Sequence, residues 1–172
     1  MTIEIPSPSL VLLIGPSGAG KSTFARRHFR ASEVLSSDSC RALVCDDEAD
    51  QSATKDAFEL LHLILEKRLQ RGRVTVVDAT NVQALARKPL LEAAQMLGVP
   101  VLGILFLLPE SVYQDRNQQR PHRKVQSDVI LSQVASLNES LTDIENEGFS
   151  WIYRLTSVND SDAAIVKRFV TG

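Results

Sequence analysis

The sequence predicts an α/β domain: a parallel sheet flanked by helices on both faces. Five aliphatic or β-branched runs, at 10–14, 34–37, 74–78, 101–107 and 151–156, alternate with stretches of helical periodicity. The first, third and fourth runs are apolar nearly throughout, as strands covered on both faces must be. A length of 172 residues with 44% hydrophobic content is enough for one core, so residues 1–172 are expected to form a single domain.

At the N-terminus, "MTIEIPSPS" alternates Ile3 and Ile5 with polar neighbours and then reaches Pro6 and Pro8. It reads as a short strand that stops at the prolines, placed at a sheet edge or paired with another chain, which makes a homodimer a candidate assembly.

The first run, "LVLLI", leads into "GPSGAGKS", Gly15 to Ser22, which satisfies G-x-x-x-x-G-K-[ST], the Walker A or P-loop pattern, with a strand before it and a helix after it. Glycines let the backbone curl so that amide hydrogens converge at a helix N-terminus, where donors and dipole favour an anion. Gly15, Ser17, Gly18, Ala19, Gly20, Lys21, Ser22 and Thr23 are therefore the expected nucleotide-binding segment. Lys21 would reach the β and γ phosphates of ATP or another nucleoside triphosphate, and Ser22 would offer its hydroxyl to Mg²⁺ or Mn²⁺.

A P-loop serves motors and switches as well as kinases, but a kinase must also bring a hydroxyl and a base. The second run ends in "SSDSCR", which places Asp38 at a strand's carboxyl end, where active-site side chains gather. It reads as the general base in preference to a helix N-cap. Arg41, three residues on, suits an anionic group on the acceptor.

The acidic residues Asp46, Asp47, Glu48 and Asp50 read as helix entry rather than a metal site. In the helix that follows, Ala53, Ala57, Leu60, Leu61, Ile64 and Leu65 recur at helical spacing, and Gly72 marks its end. His62 within it is given no role. The third run closes in "VTVVDATN". Asp78 there either contacts the metal through water or anchors the loop by hydrogen bonds, and the two readings stand equal.

"PESVYQDRNQQRPHRKV" spaces Arg116, Arg120 and Arg123 at steps of four and three, with Pro121 to break the helix. It reads as a lid over about 110–127 whose arginines close on the triphosphate, Arg116 in a catalytic part. The last run, "WIYRLTS", is mixed and belongs nearer a sheet edge.

Lysine plus arginine numbers 19 against 21 acids, a net charge of −2, so any contact with nucleic acid must be local. Cys40 and Cys45 lack metal-site spacing and read as reduced thiols. With no signal peptide, no membrane-length apolar run and no repeat, a cytoplasmic location is expected.

The stretches "GPSGAGKSTFARRHF", "EVLSSDSCRALVCDDEADQ", "VTVVDATNVQALARKPL" and "LPESVYQDRNQQRPHRKV" together resemble the kinase domain of the bacterial polynucleotide kinase-phosphatase (Pnkp) family of RNA repair enzymes. The resemblance implies transfer of a γ phosphate from a nucleoside triphosphate to a 5′-hydroxyl end of RNA or DNA, with a divalent metal. It implies Lys21 and Ser22 at donor and metal, Asp38 as general base, Arg41 on the acceptor backbone, and Arg116, Arg120 and Arg123 on phosphates. It also implies a strand order of 2-3-1-4-5 for the five runs. The family's phosphatase and ligase domains are expected to be absent from this chain. Two rivals remain: a P-loop kinase of a small-molecule hydroxyl, for which a neutral acceptor gives Arg41 no purpose, and a nucleotide-gated binding module, which would not need Asp38.

Overall fold

Strand β2 (Leu10–Ile14) is buried along its whole length because both its faces are covered. The structure, a computed structural model, describes residues 1–119 and 125–170. Leu10, Leu12 and Ile14 point into one core layer, and Val11 and Leu13 into the other, as the period of two requires. β3 (Val34–Ser36) and β4 (Thr75–Asp78) lie to one side of β2, with β5 (Val101–Phe106) and β6 (Trp151–Leu155) on the other. All neighbours are parallel, in the order β3-β4-β2-β5-β6. For the five sequence runs this is the expected order 2-3-1-4-5, and the mixed run falls at the edge, with Trp151 exposed.

The first layer is filled by α3 (Thr54–Gln70) and α4 (Ala84–Met96), through residues such as Leu61, Leu65, Leu90 and Ala94. In the second, Phe24 of α1 (Lys21–His28) meets Phe106 edge-to-face at 5.5 Å, and Tyr113 of α5 (Glu110–Gln118) joins them. α6 (Ser127–Ser140) contributes Ile130 to one layer and Leu137 to the other. α3 ends as its glycine predicts. Gly72 takes φ 64°, its amide donates to Leu69 at 2.9 Å, and that of Arg73 to Arg68 at 3.0 Å.

The sheet differs from the expectation at its ends. β1 (Thr2–Ser7) pairs in parallel with β7 (Ile165–Val170) of the same chain, in register from Thr2↔Ile165 to Ser7↔Val170, as a separate two-stranded sheet. Pro6 is tolerated within β1 because a two-stranded ribbon leaves each strand an unpaired side. Ile3 and Ile5 are fully buried in the second layer, and Tyr153 bonds Glu4. The strand that suggested a homodimer thus has its partner within the chain. Arg168 of β7 also makes two bonds to Glu33, at 2.6 and 2.7 Å.

Among the described residues no helix is long and apolar enough to cross a membrane.

Candidate active site

β2 delivers the chain to Gly15, and the loop after β4 holds it there. The Gly15 amide donates to the Thr80 carbonyl at 2.9 Å, and the Asn81 carboxamide donates to Leu13 at 2.9 Å. Two P-loop glycines are required by conformation and by space. Gly18 takes φ 85°, and a Cβ there would fall 2.5 Å from the Tyr113 carbonyl oxygen; Gly20 takes φ 94°, and a Cβ would fall 2.8 Å from Nη1 of Arg116. α1 starts at Lys21, whose ammonium donates to Gly15 and Pro16 carbonyls at 2.7 and 2.8 Å. Ser22 and Thr23 are exposed in the first turn.

A cavity of about 870 Å³ opens over the loop and reaches the carboxyl ends of β3 and β4. Gly18, Gly20, Lys21, Ser22, Thr23 and Arg116 line its P-loop side, and Ser36, Asp38 and Asp78 the strand ends. Parallel register sets Asp78 beside Ser36 on one side and Leu13 on the other, bringing a carboxylate to the rim from each of two segments far apart in sequence. Positive groups stand where phosphate would bind, and carboxylates where a hydroxyl or metal would be met.

α2 (Ser37–Cys45) is capped by Ser36, whose hydroxyl accepts from the Ser39 amide at 3.3 Å. Asp38 stands inside the first turn, so the helix-cap alternative for it is set aside. Its side chain is 37% exposed toward the cavity, while that of Arg41 is 6% exposed and paired with it. Arg41 also donates from Nε to the Glu48 carbonyl at 2.8 Å. The structure therefore places Arg41 behind Asp38 and not among the residues lining the cavity. Spacing of three residues announced the pairing, but burial of the guanidinium could not be read from it.

Arg116 projects from α5 onto the P-loop, donating from Nη1 to the Ala19 carbonyl at 3.1 Å. α5 is fixed by Tyr113, whose hydroxyl donates to Phe106 at 2.8 Å and accepts from the Leu108 amide at 2.7 Å; burial pushes this phenol's pKa up. Arg120, Pro121 and Arg123, the rest of the expected lid, lie outside the described residues.

Sequence reasoning missed two contributors. Arg87 is fully buried and paired with Glu147, and it donates to the Asn81 carbonyl at 2.7 Å. It thus braces the loop that holds Leu13 and Gly15. Its signal was available, since Arg87 shares one helical stripe with Leu90, Leu91 and Ala94. Gln133 of α6 accepts the Ser17 amide at 2.8 Å, a bond spanning 116 positions for which no local pattern exists.

A family model described as an AAA domain matches residues 10–144. A comparison with curated proteins finds no match. Among solved structures, a chain of the Pnkp1/Rnl/Hen1 RNA repair complex superposes with a TM-score of 0.68 at 19% identity, covering 81% of this chain and 47% of its own. This chain therefore spans about half the length of that relative. A putative kinase from Chloroflexus aurantiacus gives 0.61 at 15% identity, with 91% and 94% covered. A gluconokinase from Sinorhizobium meliloti gives 0.57 at 16%, with 92% and 88% covered. With a Walker A loop closing the central strand and kinase folds on either side of it in this comparison, the chain belongs to the AAA domain family and has the P-loop kinase fold.

Proposed function

We propose that this protein is a polynucleotide 5′-hydroxyl kinase that transfers the γ phosphate of ATP, or another nucleoside triphosphate, to 5′-hydroxyl ends of RNA or DNA in cytoplasmic nucleic-acid repair. The carrying observation is that Asp38 and Lys21 border one cavity, so a proton acceptor and a phosphate cradle face the same space. The acceptor oxygen forms a bond to the γ phosphorus as the bond to the β–γ bridging oxygen breaks. The hydroxyl proton passes to the Asp38 carboxylate, and the diphosphate leaves. Lys21 and the P-loop amides hold the donor, and Arg116 supplies positive charge to the transferring group. Arg120 and Arg123 complete a lid over about 110–127, and the whole of 1–172 acts as one kinase domain.

The hard oxygen donors bordering the cavity fit a hydrated divalent ion, since Mg²⁺ takes one or two protein oxygens and fills the rest with phosphate and water. Ser22 would hold Mg²⁺ or Mn²⁺ directly and Asp78 through water. The ion would neutralise charge on the phosphates. Among the described residues no group of three or more His, Cys, Asp or Glu converges as a separate metal cage.

One observation favours a second reading. Arg41 is 5% exposed and engaged by Asp38 and Glu48, an arrangement that a neutral small-molecule acceptor would leave undisturbed. For a polynucleotide, Arg41 must reach the phosphate that follows the terminal nucleoside.

The test is incubation with γ-labelled ATP, Mg²⁺ and a 5′-hydroxyl RNA oligonucleotide, with Asp38→Ala and Arg41→Gln in parallel. Label at the 5′ end, lost in both variants while ATP binding persists, upholds the proposal. Transfer only to small hydroxyl compounds, unaffected by Arg41→Gln, selects the second reading. ATP binding with no transfer to any hydroxyl tells for a nucleotide-gated module.

A further inference from the structure

A second cleft, of about 500 Å³, opens between the loop after β4 and α6. It is separate in lining from the cavity over the P-loop, but two hydrogen bonds connect it to the loop's backbone. Thr80, one of its walls, accepts the Gly15 amide, and Gln133, another, accepts that of Ser17. Its volume lies within the roughly 300–1,000 Å³ range of small-molecule sites.

The chemistry of the walls narrows the occupant. Thr80, Gln83, Asp128, Ser132, Gln133 and Ser136 supply hydroxyls, carboxamides and one carboxylate, and neither lysine nor arginine lines the cleft. A phosphate would find no cation there and would face Asp128. A neutral group rich in hydroxyls finds donors and acceptors, and Asp128 can receive two hydroxyl hydrogens of a ribose-like diol.

Gln133 adds direction. A backbone amide can only donate, so the atom it meets is the carboxamide oxygen, and this assigns the side chain's orientation. With Oε1 committed to Ser17, what Gln133 keeps for an occupant is its pair of N–H donors. The cleft and Asp38 also belong to the same side of the molecule: Cys40, one turn from Asp38 on α2, and Leu137, one turn from Gln133 on α6, pack in the same core layer.

We propose that this cleft binds the uncharged terminal nucleoside of the acceptor, with Gln133 as the residue that reads it and ties it to the P-loop. This rests on the polynucleotide kinase reading above. Phosphates of the strand are excluded from the cleft and lie toward Arg41 and the cavity.

The experiment is a ¹H–¹⁵N titration of the full chain, with Mg²⁺ and a non-hydrolysable ATP analogue, using adenosine and uridine as neutral probes and inorganic phosphate as the charged one. Nucleosides are expected to shift the Gln133 side-chain amide and the backbone amides of Ser132 and Ser136, and phosphate to leave them in place. Gln133→Glu keeps the bond to Ser17 and removes both donors, so nucleoside affinity and the KM for a 5′-hydroxyl trinucleotide should each worsen by about tenfold, with KM for ATP unchanged. Ser132→Trp, which fills the cleft, should do the same. Nucleoside shifts confined to the cavity over the P-loop, or an unchanged acceptor KM in a folded Gln133→Glu protein, would overturn the proposal. Cleft shifts without label transfer to any oligonucleotide would uphold the cleft as a nucleoside site and sink the polynucleotide reading.

Discussion

Arg116 and Gly20 occupy one small volume: Nη1 of the arginine lies 2.8 Å from where a Cβ on the glycine would fall, and it is held there by the Ala19 carbonyl at 3.1 Å. Substituting Gly20→Ala forces two changes together, a left-handed backbone at φ 94° that alanine resists and displacement of the guanidinium. The variant should lose about 1–2 kcal/mol of stability in urea unfolding, and ATP affinity should fall more than the stability change explains.

Arg116 itself should matter more to turnover than to binding. Arg116→Ala is expected to lower kcat about 10²–10³-fold, the cost of removing one donor aimed at developing charge. Arg116→Lys should rescue little, because a single ammonium cannot hold the Ala19 carbonyl and a phosphate oxygen in the same fork. Steady-state kinetics with the best available acceptor checks both.

Asp38→Asn should bind ATP as the parent does while kcat drops about 10²–10⁴-fold. Arg41 then loses its charge partner but keeps its Glu48 bond, so the protein should remain folded by circular dichroism. A variant that unfolds would mean that the pair serves chiefly to hold α2.

Glu147→Gln leaves the Arg87 guanidinium buried without a compensating charge, its side chain being 0% exposed. The expected loss is about 3–5 kcal/mol in denaturant unfolding. Because Arg87 braces Asn81, and Asn81 braces Leu13, isothermal titration should show weakened ATP binding although residue 147 lies outside the cavity lining.

The Glu33–Arg168 pair predicts an acid-side dependence. The bond from Arg168 holds the Glu33 carboxyl below its ordinary value of 4.5, with the Arg30 amide adding to this and burial opposing it. A carboxyl lowered in the folded state contributes its full stability above the unfolded value and loses it as pH falls through the folded one. Thermal melts from pH 7 to 3 should therefore decline on the acid side, and Glu33→Gln should flatten part of that decline while lowering Tm at neutral pH.

What the sequence revealed followed from locality. The P-loop, its strand and its helix are one contiguous motif with fixed offsets, and Asp38 and Asp78 follow apolar runs directly. Gly72 likewise announced a cap whose hydrogen bonds all fall within six residues. The illegible parts are long-range. β7 is largely exposed and carries Lys167 and Arg168, so nothing in its pattern marks it as the partner of a strand more than 160 residues earlier. The burial of Arg41 and the bond from Ser17 to Gln133 depend on how helices pack over the sheet, which neither spacing nor composition encodes.

The pairing of β1 with β7 has a consequence for synthesis. A nascent chain emerging from the ribosome presents Ile3 and Ile5 first, yet the strand they belong to gains its neighbour only when residues 165–170 appear. Through most of translation that apolar ribbon has no ladder to join, although the strands of the central sheet assemble meanwhile. Completion of the clasp is thus timed to the end of elongation, and nascent chains stalled before residue 165 should expose the first seven residues to proteases that spare the finished protein.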